Sequence, residues 1–286
     1  MKKLLFVVFA FLQLGLQAQY KSLFWKISGN GLTEPSYLFG TMHTSDPRIL
    51  KVSEGAMPYF NKSRAYAMEL DPSEAFDMGL MAKLMMGKGY SLKKLVKEPE
   101  YSLLDSMIRE QVSFPLGLFD NVAPVFIMTI IESAGMGLND SAGTAEVLDL
   151  HFYGEAKKSK KKIIGIETAD EQLSALNSLT YQEQADMLVK ELDNMATDTA
   201  AGPDLVRFYL DQNLDSVAAM DNTNEMPPKF FKALVTDRNL RMADRIASFI
   251  KDKSTFIAIG ALHLPAKEGV IELLRAKGFK VEPVKL

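Results

Sequence analysis

Apolar positions along this chain fall into three patterns. Leu4 to Leu12 is one continuous apolar run, preceded by Lys2 and Lys3 and followed by Ala18, Gln19 and Tyr20. Short apolar runs near both ends stop at a glycine or a glutamate: Tyr37-Leu-Phe-Gly40, Arg64-Ala-Tyr-Ala-Met-Glu-Leu70, Lys162-Ile-Ile-Gly-Ile166 before Glu167, and Ser254-Thr-Phe-Ile-Ala-Ile-Gly260. Runs of that length predict buried strands. Between them, apolar residues recur at helical spacing over Pro99 to Val112, Pro124 to Ile131, Thr144 to Lys158, Tyr181 to Met195, Leu205 to Met220 and a long stretch from Pro228. A final helix ends at Lys277 with Gly278 as its stop, and a last strand lies around Val281.

Punctuation sharpens the boundaries. Pro58 and Asn61 mark a short helix between the first two strands, and Asp71-Pro72-Ser73-Glu74 supplies an N-cap, a first-turn proline and an acidic residue for the helix through Met78 and Met85. Thr168-Ala-Asp-Glu171 is a capping box directly after the Lys162 strand. Together these elements predict an α/β fold: terminal strand-loop-helix regions form one mixed sheet core, and a long, mainly helical middle is inserted at about 75–160 and 175–250. One domain over 20–286 accommodates this pattern. The methionines of the helical middle suit either an ordinary core or an adaptable peptide-binding groove.

The first nineteen residues carry the charge, apolar run and small-residue boundary of a secretory signal peptide cleaved near Ala18 or Gln19. The run is shorter than the roughly 20 residues of a spanning helix. A secreted or periplasmic protein without a stable membrane anchor is the expectation, with a retained anchor as the alternative. Composition then narrows the chemistry. With 33 basic and 36 acidic residues the chain shows no electrostatic footprint for nucleic acid. The absence of cysteine excludes disulfides, thiolate metal sites, a thiol nucleophile and an N-terminal lipid anchor on cysteine.

Only three histidines occur. Two stand three residues after a glycine and just past an apolar strand, in Gly40-Thr-Met-His43 and Gly260-Ala-Leu-His263. Ligand-binding side chains of α/β proteins gather past the carboxyl ends of strands, where glycine admits close backbone approach. Glu69 and Glu167 end two further strands. Four strand ends thus carry two imidazoles and two carboxylates, a donor set suited to manganese, cobalt, iron or zinc. The metal candidates are His43, His263, Glu69 and Glu167, and either glutamate is also a candidate general base. His151 sits inside a helical pattern and reads as structural; Asp149, nearby in the same helix, is a candidate for a supporting role. Extending the apolar stripe of Met242, Ala243, Ile246 and Ile250 backwards lands on Asn239, beside Arg238. That guanidinium suits a carboxylate or a developing oxyanion.

These motifs, with Met-Glu69-Leu-Asp, Gly-Ile-Glu167-Thr-x-x-x-Gln172 and Arg238-Asn239-x-x-Met242-Ala, resemble the TraB/PrgY/GumN family, which includes the Tiki proteases. The likeness spans about Leu23 to Val284, and Leu148-Asp149 before the Lys162 strand resembles the bacterial GumN branch. The resemblance implies an α/β fold with helical insertions and a site built from the two Gly-x-x-His motifs with glutamates. Tiki-like members further imply a peptidase dependent on a divalent metal ion, manganese or cobalt favoured. By position it implies His43 and His263 as ligands, Glu69 and Glu167 as ligands or base, and Arg238 with Asn239 facing a peptide or protein substrate. A secreted or periplasmic metal-dependent hydrolase is one reading; a non-catalytic extracytoplasmic protein that binds a peptide or haem is the other. No His-Glu-x-x-His, Gly-x-Ser-x-Gly, Walker or Gly-x-Gly-x-x-Gly motif is present.

Overall fold

A computed structural model describes residues 20–44, 46–74, 78–135, 147–196, 202–221 and 226–286. The expected signal peptide, and the start of the helix expected from Thr144, lie outside these residues. Six strands form one mixed sheet: β1 (Phe24–Ser28), β2 (Ser36–Thr41), β3 (Ala65–Met68), β4 (Lys162–Gly165), β5 (Thr255–Gly260) and β6 (Lys280–Pro283). Their spatial order is β4-β3-β5-β2-β1-β6. The four strands β4, β3, β5 and β2 are mutually parallel, whereas β1 runs antiparallel to both β2 and β6. The predicted α/β class with a mixed sheet is the architecture found.

The apolar runs read as strands for a physical reason. β2 and β3 are buried at every residue and β5 at all but its last, because helices cover the sheet. Phe152, on helix Leu148–Lys158, stacks into an aromatic cluster on the sheet, its ring centroid 4.8 Å from Phe256, 5.5 Å from Phe39 and 5.6 Å from Phe60. A second apolar cluster lies within the helical middle, where Leu92, Leu104, Ile108, Ile127, Leu188 and Phe230 are buried together. Met86 is buried in it and Met107, Met128, Met187 and Met226 pack against it, so these methionines serve a core. Among the described residues no helix is long and apolar enough to cross a membrane.

Several boundaries differ from the sequence pattern. The short helix around Pro58 is part of a longer one, Pro47–Lys62, started by the Asp46 side chain accepting from the Arg48 amide. After Asp71, whose carboxylate does accept from the Ser73 amide, the chain makes only the 3-10 turn Pro72–Glu74, and helix Met78–Lys83 ends before Met85. The helix expected over Leu205 to Met220 is two, Gly202–Leu210 and Leu214–Asp221, parted by Gln212 in a left-handed conformation at φ 54°. The capping box forms as expected and opens helix Ala169–Leu176.

Candidate metal and substrate site

Each expected site residue is delivered by the local course of the chain. β2, β3, β4 and β5 run parallel, and His43, Glu69, Glu167 and His263 all follow their carboxyl ends. Register brings the motifs side by side: Thr41 pairs with Gly260 between β2 and β5, and Met68 pairs with both Ala258 and Gly165. Glycine at position 40 permits a close approach. A Cβ there would meet the Ala261 Cα at 3.1 Å and Leu264 Cδ2 at 3.1 Å, so the two Gly-x-x-His turns pack against each other.

Glu69 sits among these elements. Its Oε1 accepts from the Gly260 amide at 2.7 Å, and its Oε2 accepts from Arg238 Nη2 at 2.6 Å. Arg238 also donates to Glu167 Oε2 through Nε and Nη2, at 2.9 and 2.7 Å. One guanidinium therefore bridges both glutamates. The other oxygen of Glu167 faces Arg241 Nη2 at 3.5 Å. A third Arg238 donor, Nη1, reaches the Leu234 carbonyl at 3.2 Å, within the π-helical turn Lys232–Thr236 that precedes helix Asp237–Phe249.

The two histidines are held differently. His263 is buried, and its Nδ1 lies 2.6 Å from Asn239 Oδ1. The Asn239 amide nitrogen donates to the Glu268 carbonyl at 2.8 Å, so its oxygen faces the ring and Nδ1 carries the proton. That leaves His263 Nε2 as a lone pair, 3.8 Å from Glu69 Oε1. Asn239 is itself buried, at the start of the apolar stripe of Met242, Ala243 and Ile246, as the backward extension of that stripe predicts. His43 is more open, its side chain 59% exposed, and its Nε2 stands 3.2 Å from Asp149 Oδ2.

Burial and charge set the protonation of this cluster. Burial pushes Glu69 up, but His263, Arg238 and His43 with the Gly260 amide outweigh it and hold the carboxyl down at about 2. His263 is lowered to about 4, by burial first and then by the charges of Arg238 and His43, with Glu69 opposing. Asp149 is raised, by burial and by Glu69, against the pull of His43 and the Thr41 hydroxyl. At neutral pH the site thus holds an ionised Glu69 and an uncharged His263. A cavity of about 430 Å³ opens onto it, lined by His43, Glu69, Asp149 and Arg238 and by aliphatic side chains such as Leu150 and Leu234.

Among the described residues, no three His, Asp or Glu side chains close around one point as a finished metal cage. The donors stand instead as two pairs, His43 with Asp149 and His263 with Glu69. Asp149, expected only in a supporting role, lies at the site itself, and Thr41, Tyr66 and Arg241 join it without a mark in the sequence pattern. Thr41 donates to Asp149 Oδ1 at 2.9 Å and the Tyr66 hydroxyl to the Asp149 carbonyl at 3.2 Å. The usable signal was the spacing of Asp149 and Phe152, which puts both on one helix face.

The profile of the TraB/PrgY/gumN family matches residues 23–283, nearly all of the described chain. The chain belongs to the TraB/PrgY/gumN family. Within this family it is 25% identical over 319 residues to the metalloprotease TIKI2 of Xenopus tropicalis, covering 93% of this chain and 60% of that protein. It is 24% identical to human metalloprotease TIKI1, over 93% and 62% of the two chains, and 23% identical to a metalloprotease TIKI homolog of Nematostella vectensis, over 94% and 68%. The chain spans about three-fifths of the length of the first two relatives. No solved structure matches it.

Proposed function

We propose that this TraB/PrgY/gumN protein is a metal-dependent hydrolase that acts on peptides, exported by a signal peptide in residues 1–19. The observation that carries the reading is His263 Nε2 facing a Glu69 oxygen at 3.8 Å, with the ring's other nitrogen held by Asn239 at 2.6 Å. Two acceptors that face each other across a buried gap fit a cation between them. An imidazole whose far nitrogen is tied to an amide oxygen is the usual support for a metal ligand. The name metalloprotease, carried by relatives that align over more than nine-tenths of the chain, agrees with it.

In this reading His43 and His263 supply nitrogen donors and Glu69 a carboxylate, to a divalent ion such as manganese or cobalt, with zinc and iron compatible with the same donors. When bound, such an ion supplies Lewis acidity, which polarises a carbonyl and eases the deprotonation of water. The protein's own residues do the rest. Asn239 orients His263, and the Gly260 amide with Arg238 keeps Glu69 ionised. Arg238, also lining the cavity, places a positive charge where an oxyanion develops on a bound peptide. Glu167, the second carboxylate at this edge of the sheet, is bound to Arg238 and faces Arg241, and holds the guanidinium in place.

The test is cleavage of an unbiased peptide mixture read by mass spectrometry. The protein as isolated should cut, chelation should abolish cutting, and Mn²⁺ or Co²⁺ should restore it. His43→Ala and His263→Ala should lower the restored rate by at least ~100-fold, the scale on which loss of an essential catalytic group is felt. Cutting that persists in chelator defeats the reading.

A further inference from the structure

We infer that Asp149, paired with His43, is the second carboxylate ligand of the metal site, and that Glu167 is not a ligand. This rests on the metal-dependent reading above and refines its donor set. Asp149 is 8% exposed. Its Oδ1 accepts from Thr41 and its main-chain carbonyl from Tyr66, but among the described residues its buried Oδ2 has no hydrogen-bond partner. A buried carboxylate oxygen without a donor is costly, and such an atom calls for a ligand.

The neighbour of that oxygen is His43 Nε2 at 3.2 Å, a contact too poorly aligned to be a hydrogen bond. Two atoms bound to one ion at about 2.1 Å stand about 3.0 Å apart at a right angle and about 3.4 Å apart at a tetrahedral one. The observed separation falls between these values. Phe152, one helical turn beyond Asp149, is locked among the sheet aromatics, so the carboxylate is presented by a rigid element.

Glu167 offers no such opening. Its Oε2 takes two donors of Arg238. Among the described residues its Oε1 also lacks a hydrogen bond, but it faces the Arg241 guanidinium at 3.5 Å, so a positive charge already stands there. A divalent ion at Glu167 would have to approach two guanidinium groups. Among the described residues no guanidinium pairs with His43 or Asp149, and both line the 430 Å³ cavity.

The measurement is titration of the chelator-stripped full chain with Mn²⁺, free ion being counted by electron paramagnetic resonance, alongside the visible spectrum of the Co²⁺ form. D149N should weaken Mn²⁺ binding as much as H43A does, beyond the ~10- to 100-fold that loss of an outer partner costs, and should shift the Co²⁺ bands. E167Q should retain Mn²⁺ binding. Wild type that binds while D149N binds equally well overturns the assignment alone, as does an E167Q variant that loses as much as H43A. Wild type that takes up neither ion overturns the metal reading and this assignment together. Should D149N not fold, D149E displaces the oxygen from His43 by one carbon; unchanged affinity and unchanged Co²⁺ bands in D149E would equally refute the pairing.

Discussion

His263 links the stability of this protein to pH. The ring is buried and its proton affinity is lowered from 6.5 to about 4. Between those values the unfolded chain takes up a proton that the native ring refuses, so stability is full above 6.5 and falls as pH drops toward 4. Glu69, lowered from 4.5 to about 2, acts next: its contribution is present above 4.5 and is lost as pH falls toward 2. Asp149, raised above 3.8, opposes these losses in the lower part of the range. Comparing H263Q with wild type isolates the first effect. Urea unfolding of the chelator-treated proteins between pH 7 and about 4.5 should show a steeper loss for wild type than for H263Q; parallel profiles would contradict a buried neutral ring. The histidine pair was legible in the sequence because glycine three residues earlier and an apolar run before it mark a strand end. That Asp149 stands beside His43 was not legible, because a helical pattern does not say which strand the helix will cover.

At the scale of elements, the site depends on how closely β2 and β5 lie. The Gly40 turn presses on Ala261 and Leu264, and the Tyr209 hydroxyl donates to the Gly40 carbonyl at 2.7 Å. Gly40→Ala adds a methyl where backbone and side-chain atoms already stand at 3.1 Å, and should cost roughly 1–3 kcal/mol of stability by overpacking. Gly154→Ala is the matched control: it lies in helix Leu148–Lys158 with open space around it, and should be neutral or stabilise by up to about 1 kcal/mol. Chemical denaturation of both variants checks the pair, and a Gly40→Ala protein as stable as wild type would show that the turns do not pack as described. The sheet's central strands were readable from their unbroken apolar runs. β1 was not, since Lys26 and Ser28 interrupt its pattern and its identity comes from pairing with β2 and β6. The π-helical turn at Lys232–Thr236 carries no mark in the sequence; its consequence, a Leu234 carbonyl that accepts from Arg238, appears only in three dimensions.

Over the whole molecule, residues far apart in sequence meet because four parallel strands end at one edge. Each crossover between them is long enough to hold helix, and the two longest, β3 to β4 and β4 to β5, together build a second core. The order of the strands was not deducible from periodicity, and that order decides which histidine meets which carboxylate: His43 meets Asp149 and His263 meets Glu69. We propose that these residues together form one divalent-cation site. A crystal structure of the Co²⁺-loaded protein, with anomalous scattering collected at the cobalt edge, tests it most directly. One strong peak is expected at the carboxyl edge of the sheet, within bonding distance of His43, His263, Glu69 and Asp149. A peak that avoids both histidines, or an empty edge beneath an intact Arg238 bridge at saturating Co²⁺, would contradict it.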